Sequence, residues 1–335
     1  IMHKLKNKVL LILATVAVAL VYLGTLPGVY AQVAEVYVGG MPAGFTLGLG
    51  GAQIVGICEV LTEDGAVCPA RDAGISVGDI IYTLNGVRIE SAADIDKVLE
   101  TSKGKARASV KRGGERIETQ IQPAEDIASG KRKLGVLIRD SISGIGTVTY
   151  IEKESLRFAS LGHAVADSTG KLMDVDKGSI FQCSIVNVVK GERGRAGELK
   201  GLFLNDKSIA AADTNCATGV YGNFNKSYDT SSLKSMRIGE DAQPGKASIF
   251  TTIDGVTPKE YSVSIVKVDE GNKQNKNYVI KVTDKELLER TGGIVQGMSG
   301  SPIVQDGKLI GAVTHVFLND PTRGYGISIA NMLGK

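Results

Sequence analysis

From residue 135 onward the chain is cut into short runs of β-branched and aromatic residues, punctuated by Gly, Asn and Asp. The runs are Gly135–Ile138, Gly146–Ile151, Ile180–Val189, Ser248–Ile253, Tyr261–Val268 and Tyr278–Val282. Segments of this length bounded by turn formers predict strands, and six of them at such spacing predict an all-β barrel or sandwich. Composition agrees: 42 glycines and no Trp in 335 residues describe a turn-rich sheet protein and exclude long helical bundles. One helical stretch stands out, Asp284 to Arg290. The length predicts two domains rather than one.

The first half has a different rhythm. Ala73-Gly74 closes a short helical turn, Gly78-Asp79 turns tightly, and Ile80 to Leu84 alternates as a strand. Asn85-Gly86 is a type I′ hairpin signal. Ser91 caps a predicted helix, Ala92 to Thr101, with Ile95, Val98 and Leu99 on one face. Strands Ala106–Lys111 and Arg116–Ile121 follow, joined at Gly113-Gly114. This order resembles a circularly permuted bacterial PDZ domain over residues 36–122, with a polar linker at 123–133. Such domains bind an extended peptide by adding it to a sheet edge. The resemblance places the carboxylate loop and groove wall at Gly48, Leu49, Gly50 and Gly51 and the strand after them; an ordinary glycine turn is an equal reading of the same residues.

Charge is distributed unevenly. The formal net charge is +3, and Lys4, Lys6 and Lys8 supply all of it, because residues 1–31 hold no Asp, Glu or Arg. The neutral remainder argues against nucleic acid as a partner. The three lysines precede an apolar run, Val9 to Leu26, a pattern of an export signal or a single amino-terminal anchor within residues 1–31, with Val29-Tyr30-Ala31 as a cleavage site. Either reading exports residue 32 onward and leaves membrane attachment through this segment open. Cys58, Cys68, Cys183 and Cys216 form no metal-ligand spacing, so neither a metal site nor a cofactor is expected. Export permits a Cys58–Cys68 disulfide; four free thiols is the competing reading.

Chemistry concentrates near the carboxy terminus. Gly297-Met-Ser-Gly-Ser-Pro302 looks like the nucleophile loop of chymotrypsin-type serine proteases, and a strand–turn–strand with Asp306-Gly307 at its turn follows it. A nucleophilic Ser299 must project from a tight turn, and the amides of Gly297 and Ser299 must converge on one oxyanion. Ser301 is the rival nucleophile. His163, in Leu161-Gly-His-Ala-Val165, precedes the serine as an upstream general base should. His315 alternates with Val313 and Phe317, so an apolar-face histidine is its plainer reading, with a place in the specificity pocket as the alternative. For the third member, Asp167, Asp174, Asp176, Asp213, Asp254 and Asp284 all lie between or near His163 and Ser299, and position alone does not choose among them. The fold expected is mainly β: an α+β PDZ domain followed by a chymotrypsin-like β-barrel serine protease domain over residues 134–335.

A closer resemblance comes from Ile138-Arg-Asp-Ser141, Gly144-Ile-Gly-Thr147, Leu161-Gly-His163, Thr291 to Ile303, Gly311 to Phe317 and Asn319 to Thr322. Together they resemble the stage IV sporulation protein B family over about residues 36 to 333. The resemblance implies a serine endopeptidase exported into the space between forespore and mother-cell membranes. It implies cleavage of a membrane-bound regulator of an intramembrane metalloprotease, which releases sigma factor K processing, and self-cleavage near the amino terminus. Its triad falls on Ser299, His163 and Asp284. Two other readings compete: a non-catalytic anchored PDZ adaptor, and a general extracytoplasmic quality-control protease.

Overall fold

The computed structural model describes residues 35–166, 172, 173 and 177–335. The expected export segment, Asp167, Asp174 and Asp176 lie outside the described residues. No described helix is long and apolar enough to cross a membrane.

The architecture is mainly β, with nineteen strands among the described residues joined in one hydrogen-bonded network. Two long antiparallel strands, Pro42–Ile57 and Val136–Glu152, run side by side through the molecule. Their inner halves pair Pro42 with Thr147 through Gly48 with Ser141, and Lys177–Gln182 covers the other edge of the first strand. Their outer halves pair Gln53 with Arg139 through Ile57 with Val136, and Ile80-Ile81 covers the other edge there.

Among the described residues, three apolar cores are strung along this ribbon. Ala43, Phe45, Leu47, Val148 and Ile151 join Phe158, Ile180, Val220 and Phe224 in the first. Its rings pack edge to face, with Phe158 and Phe224 centred 5.4 Å apart. Ile54, Ile81, Leu84, Leu99, Val110 and Leu134 form the second, closed by the predicted helix Ala92–Thr101. That helix begins as expected, with Ser91 and Asp94 forming a reciprocal capping box. The third core gathers Ile249, Tyr261, Val263, Ile280, Met298 and Ile303 from the carboxy-terminal strands.

Residues 35–48, grouped by sequence with the first half, are woven into the second. Val36 pairs with Glu152 and with Met236, and Ala43, Phe45 and Leu47 sit in the first core. The stretch read as a linker contains a small hairpin, Ala124–Glu125 against Arg132–Lys133. The four cysteines are free thiols, and the Cys68 thiol donates to the Cys58 carbonyl at 3.4 Å.

Gly48, Leu49, Gly50 and Gly51 do not form a free loop. They are the irregular midpoint of the Pro42–Ile57 strand, where five positions on this strand pass two on its partner. Gly50 takes φ +66°, and a Cβ on Gly51 would lie 2.8 Å from the Ile81 carbonyl oxygen. These glycines let the strand bend from one core into the next. Beyond them, residues 136–139 pair along one edge of the strand, and Ile80-Ile81 pair with the other edge at Ala52 and Gln53.

Candidate active site

The Ser299 turn is held from three sides. Met298 is fully buried in the third core and anchors the turn below. Gly297 and Gly300 adopt φ +96° and +93°, as a turn this tight requires. A side chain at Gly300 would collide with the Thr147 carbonyl oxygen at 2.1 Å. Thr147 and Thr149, from the Val136–Glu152 strand, hold the turn from above. The Thr147 hydroxyl donates to the Gly297 carbonyl and the Thr149 hydroxyl to the Gly300 carbonyl, both at 2.8 Å. The Thr147 amide donates to the Ser299 carbonyl at 3.0 Å.

These contacts aim the amides. The Leu199 amide donates to the Gln296 carbonyl at 2.8 Å, and the Ser301 amide to the Met298 carbonyl at 2.9 Å. In a planar trans peptide the N–H points opposite the C=O. The Gly297 and Ser299 amides therefore face away from both anchors, and neither has an acceptor among the described residues. Two free amides flanking a serine form the donor pair that an oxyanion requires. Ser299 lines the adjoining cavity, whereas Ser301 is fully buried and does not line it.

His163 is delivered by the end of the Arg157–Ser160 strand. Leu161 and Gly162 take successive left-handed conformations, φ +66° and +68°, and turn the next side chain into the cleft. Thr147 links the two loops: its carbonyl accepts from the Leu161 amide at 3.3 Å while its amide holds Ser299. The His163 Nδ1–H donates to the Ala164 carbonyl at 2.9 Å, which leaves Nε2 as the basic nitrogen. Burial pushes its pKa below the ordinary histidine value and keeps the ring neutral. The segment after it is clasped by Asn215, whose amide group bonds the Val165 N–H, the Val165 carbonyl and the Met173 carbonyl at 2.8–2.9 Å. The Ser299 hydroxyl donates to the Thr314 carbonyl at 2.8 Å, and both Ser299 and His163 line the same cavity.

Asp284 is not brought to His163. Its carboxylate caps the helix Lys285–Thr291 by accepting from the Leu287 amide at 3.0 Å. Asp213 pairs with Arg157 and Asp254 with Arg290. Among the described residues no carboxylate bonds His163. Its neighbour is His315, whose ring centroid lies 4.9 Å away. His315 is exposed, not turned into an apolar face. Partial burial, the His163 ring and the Lys276 charge lower its pKa to about 4. The described residues contain no cluster that would hold a metal ion.

Thr147, Thr149 and Asn215 were not found by sequence reasoning. Gly144-Ile-Gly-Thr147 did stand out as a motif, but its hydroxyl acts on one backbone carbonyl 150 residues away, and spacing carries no signal of that. Compared with known protein families, residues 130–333 match the SpoIVB peptidase S55 family, a span of more than half the chain.

Proposed function

The chain belongs to the SpoIVB peptidase S55 family, whose members are serine peptidases, and from that premise we propose a specific catalytic assignment. Ser299 is the nucleophile, His163 the general base, and the Gly297 and Ser299 amides the oxyanion hole. The free amide pair beside a cavity-lining serine carries this reading. His163 Nε2 takes the Ser299 proton as Oγ attacks a peptide carbonyl. The two amides hold the oxyanion, the leaving amine takes the proton from His163, and water then releases the acyl group by the same route. The Ala164 carbonyl fixes the tautomer, and Asp284 supports the fold instead of the imidazole. We read the two cores around the cleft as a pair of chymotrypsin-like barrels and the second core as a PDZ-type lobe.

The biological reading rests on the motifs that resemble stage IV sporulation protein B. The protein is exported between the forespore and mother-cell membranes. There it cuts the extracytoplasmic part of a membrane-bound regulator of an intramembrane metalloprotease and thereby permits sigma factor K activation. It also cuts its own amino-terminal region. The test is a fluorophosphonate probe on the purified chain, with the labelled residue mapped by mass spectrometry. Labelling at Ser299 that is lost in His163→Ala is expected. Equal labelling of the two proteins would overturn the assignment.

A further inference from the structure

The cavity beside Ser299 has a volume of about 480 Å³ and a mainly apolar lining, to which Ile294, Val295, Val316 and Leu318 contribute from the carboxy-terminal part of the chain and Phe45, Leu47, Ile142 and Ile145 from the two long strands. The polar residues that line it are His163, Gln296, Ser299, Thr314 and His315. No Asp, Glu, Lys or Arg lines it among the described residues.

This lining acts on the substrate directly. A charged side chain entering such a space loses its water and meets no counter-ion, whereas an apolar one gains burial. Ile294 packs against the Gly324 backbone, where a Cβ would lie 2.6 Å from its Cδ1. Val316 lines the cavity two residues after Thr314, whose carbonyl receives the Ser299 hydroxyl at 2.8 Å. Leu318 stands at the mouth and is 55% exposed, a large apolar side chain that the fold leaves in solvent.

We infer that this peptidase selects uncharged, medium-sized apolar side chains at the residues flanking the cleaved bond, and that Val316 and Leu318 are the selecting residues at one of those positions. The inference rests on Ser299 being the nucleophile. Apolar pockets discriminate by roughly 10- to 200-fold per methylene-sized change, and exclusion of a full charge should be at least as strong.

The test is a peptide mixture of natural composition digested by the full chain, with cleaved bonds read by mass spectrometry. Val, Leu, Ile and Met should flank the cuts, with Asp, Glu, Lys and Arg depleted at least about tenfold. Val316→Asp and Leu318→Asp should each raise cleavage beside Lys and Arg at one flanking position. Leu318→Asp lies at an exposed site and keeps the test usable where Val316→Asp does not fold. Cuts beside charged residues as frequent as beside apolar ones would overturn the inference. So would an unchanged preference in Leu318→Asp. Ser299→Ala run alongside should give no cuts. Cutting that survives in it would sink the nucleophile assignment instead, so the two failures are distinguishable.

Discussion

Replacing Thr147 with Val keeps the shape of the side chain and removes its hydroxyl. The lost contact is the 2.8 Å bond to the Gly297 carbonyl, made by a threonine that is 2% exposed. A bond of this kind is worth about 1 kcal/mol net, and the stranded carbonyl adds to the cost, for about 1–2 kcal/mol in all. The peptide it holds lies between the two peptides that carry the oxyanion amides. If that energy keeps the turn in its active arrangement, the competent fraction falls about 5- to 30-fold. Thr147→Val should therefore lower kcat by that factor while KM stays within about twofold, because the apolar cavity walls are untouched. Steady-state hydrolysis of a fluorogenic peptide measures this, and urea unfolding of the same preparation reports stability. A kcat within twofold of the parent, accompanied by a stability loss of about 1–2 kcal/mol, would refute the reasoning. The threonine would then hold the fold together without aiming the amides.

Other substitutions separate roles in the same way. Asp284→Ala should cost about 1 kcal/mol of stability through the lost helix cap, and Asp284→Asn should restore most of it; kcat should change less than about fivefold in both. A folded Asp284→Asn enzyme with kcat reduced a thousandfold would make Asp284 the orienting acid after all. Asn215→Ala removes three hydrogen bonds, at about 1 kcal/mol each, from the segment behind His163, and kcat should fall about tenfold or more. An unchanged kcat would show that the segment does not position the base. The pH profile follows from burial of His163. The active form is neutral and its folded pKa lies below 6.5, so kcat/KM should be level above pH 6.5 and fall as pH drops below it. Stability should decline over the same acid range, between pH 6.5 and about 4 for His315, because the unfolded chain binds the protons that the folded site refuses. An inflection in kcat/KM at pH 7 or above would contradict a buried neutral base.

Features encoded locally were legible. Asn85-Gly86, Ser91 and Asp306-Gly307 specify their turns and cap through neighbours within four residues, and the structure forms each one. The Ser299 turn belongs to the same class, since glycine at 297 and 300 answers a local backbone demand. The apolar-face reading of His315 failed because strand alternation was carried through a β-bulge between Val313 and His315; the ring lines the cavity beside Ser299 and lies 4.9 Å from that of His163. Asp284 stands directly before Lys-Glu-Leu-Leu, the place of a helix cap, and the family resemblance drew attention away from that local signal. Gly48 to Gly51 read as a loop because their purpose, a bend between two cores, depends on strands far away in the chain.

That bend also bears on how the chain assembles. Gly48 and Ser141 are neighbours in space but about 90 residues apart in sequence, so pairing them from an unfolded chain means closing a long loop. The intervening segment owns an apolar core, and once it collapses Gln53 and Arg139 are already side by side. The loop still to be closed then shrinks to a few residues, a saving of about 2–3 kcal/mol in chain entropy. The inserted lobe thus acts as a folding clamp for the catalytic unit that surrounds it. A fragment starting at residue 134 would lose the clamp together with Ala43, Phe45 and Leu47, leaving Val148, Phe158 and Ile180 without the strand that completes their core.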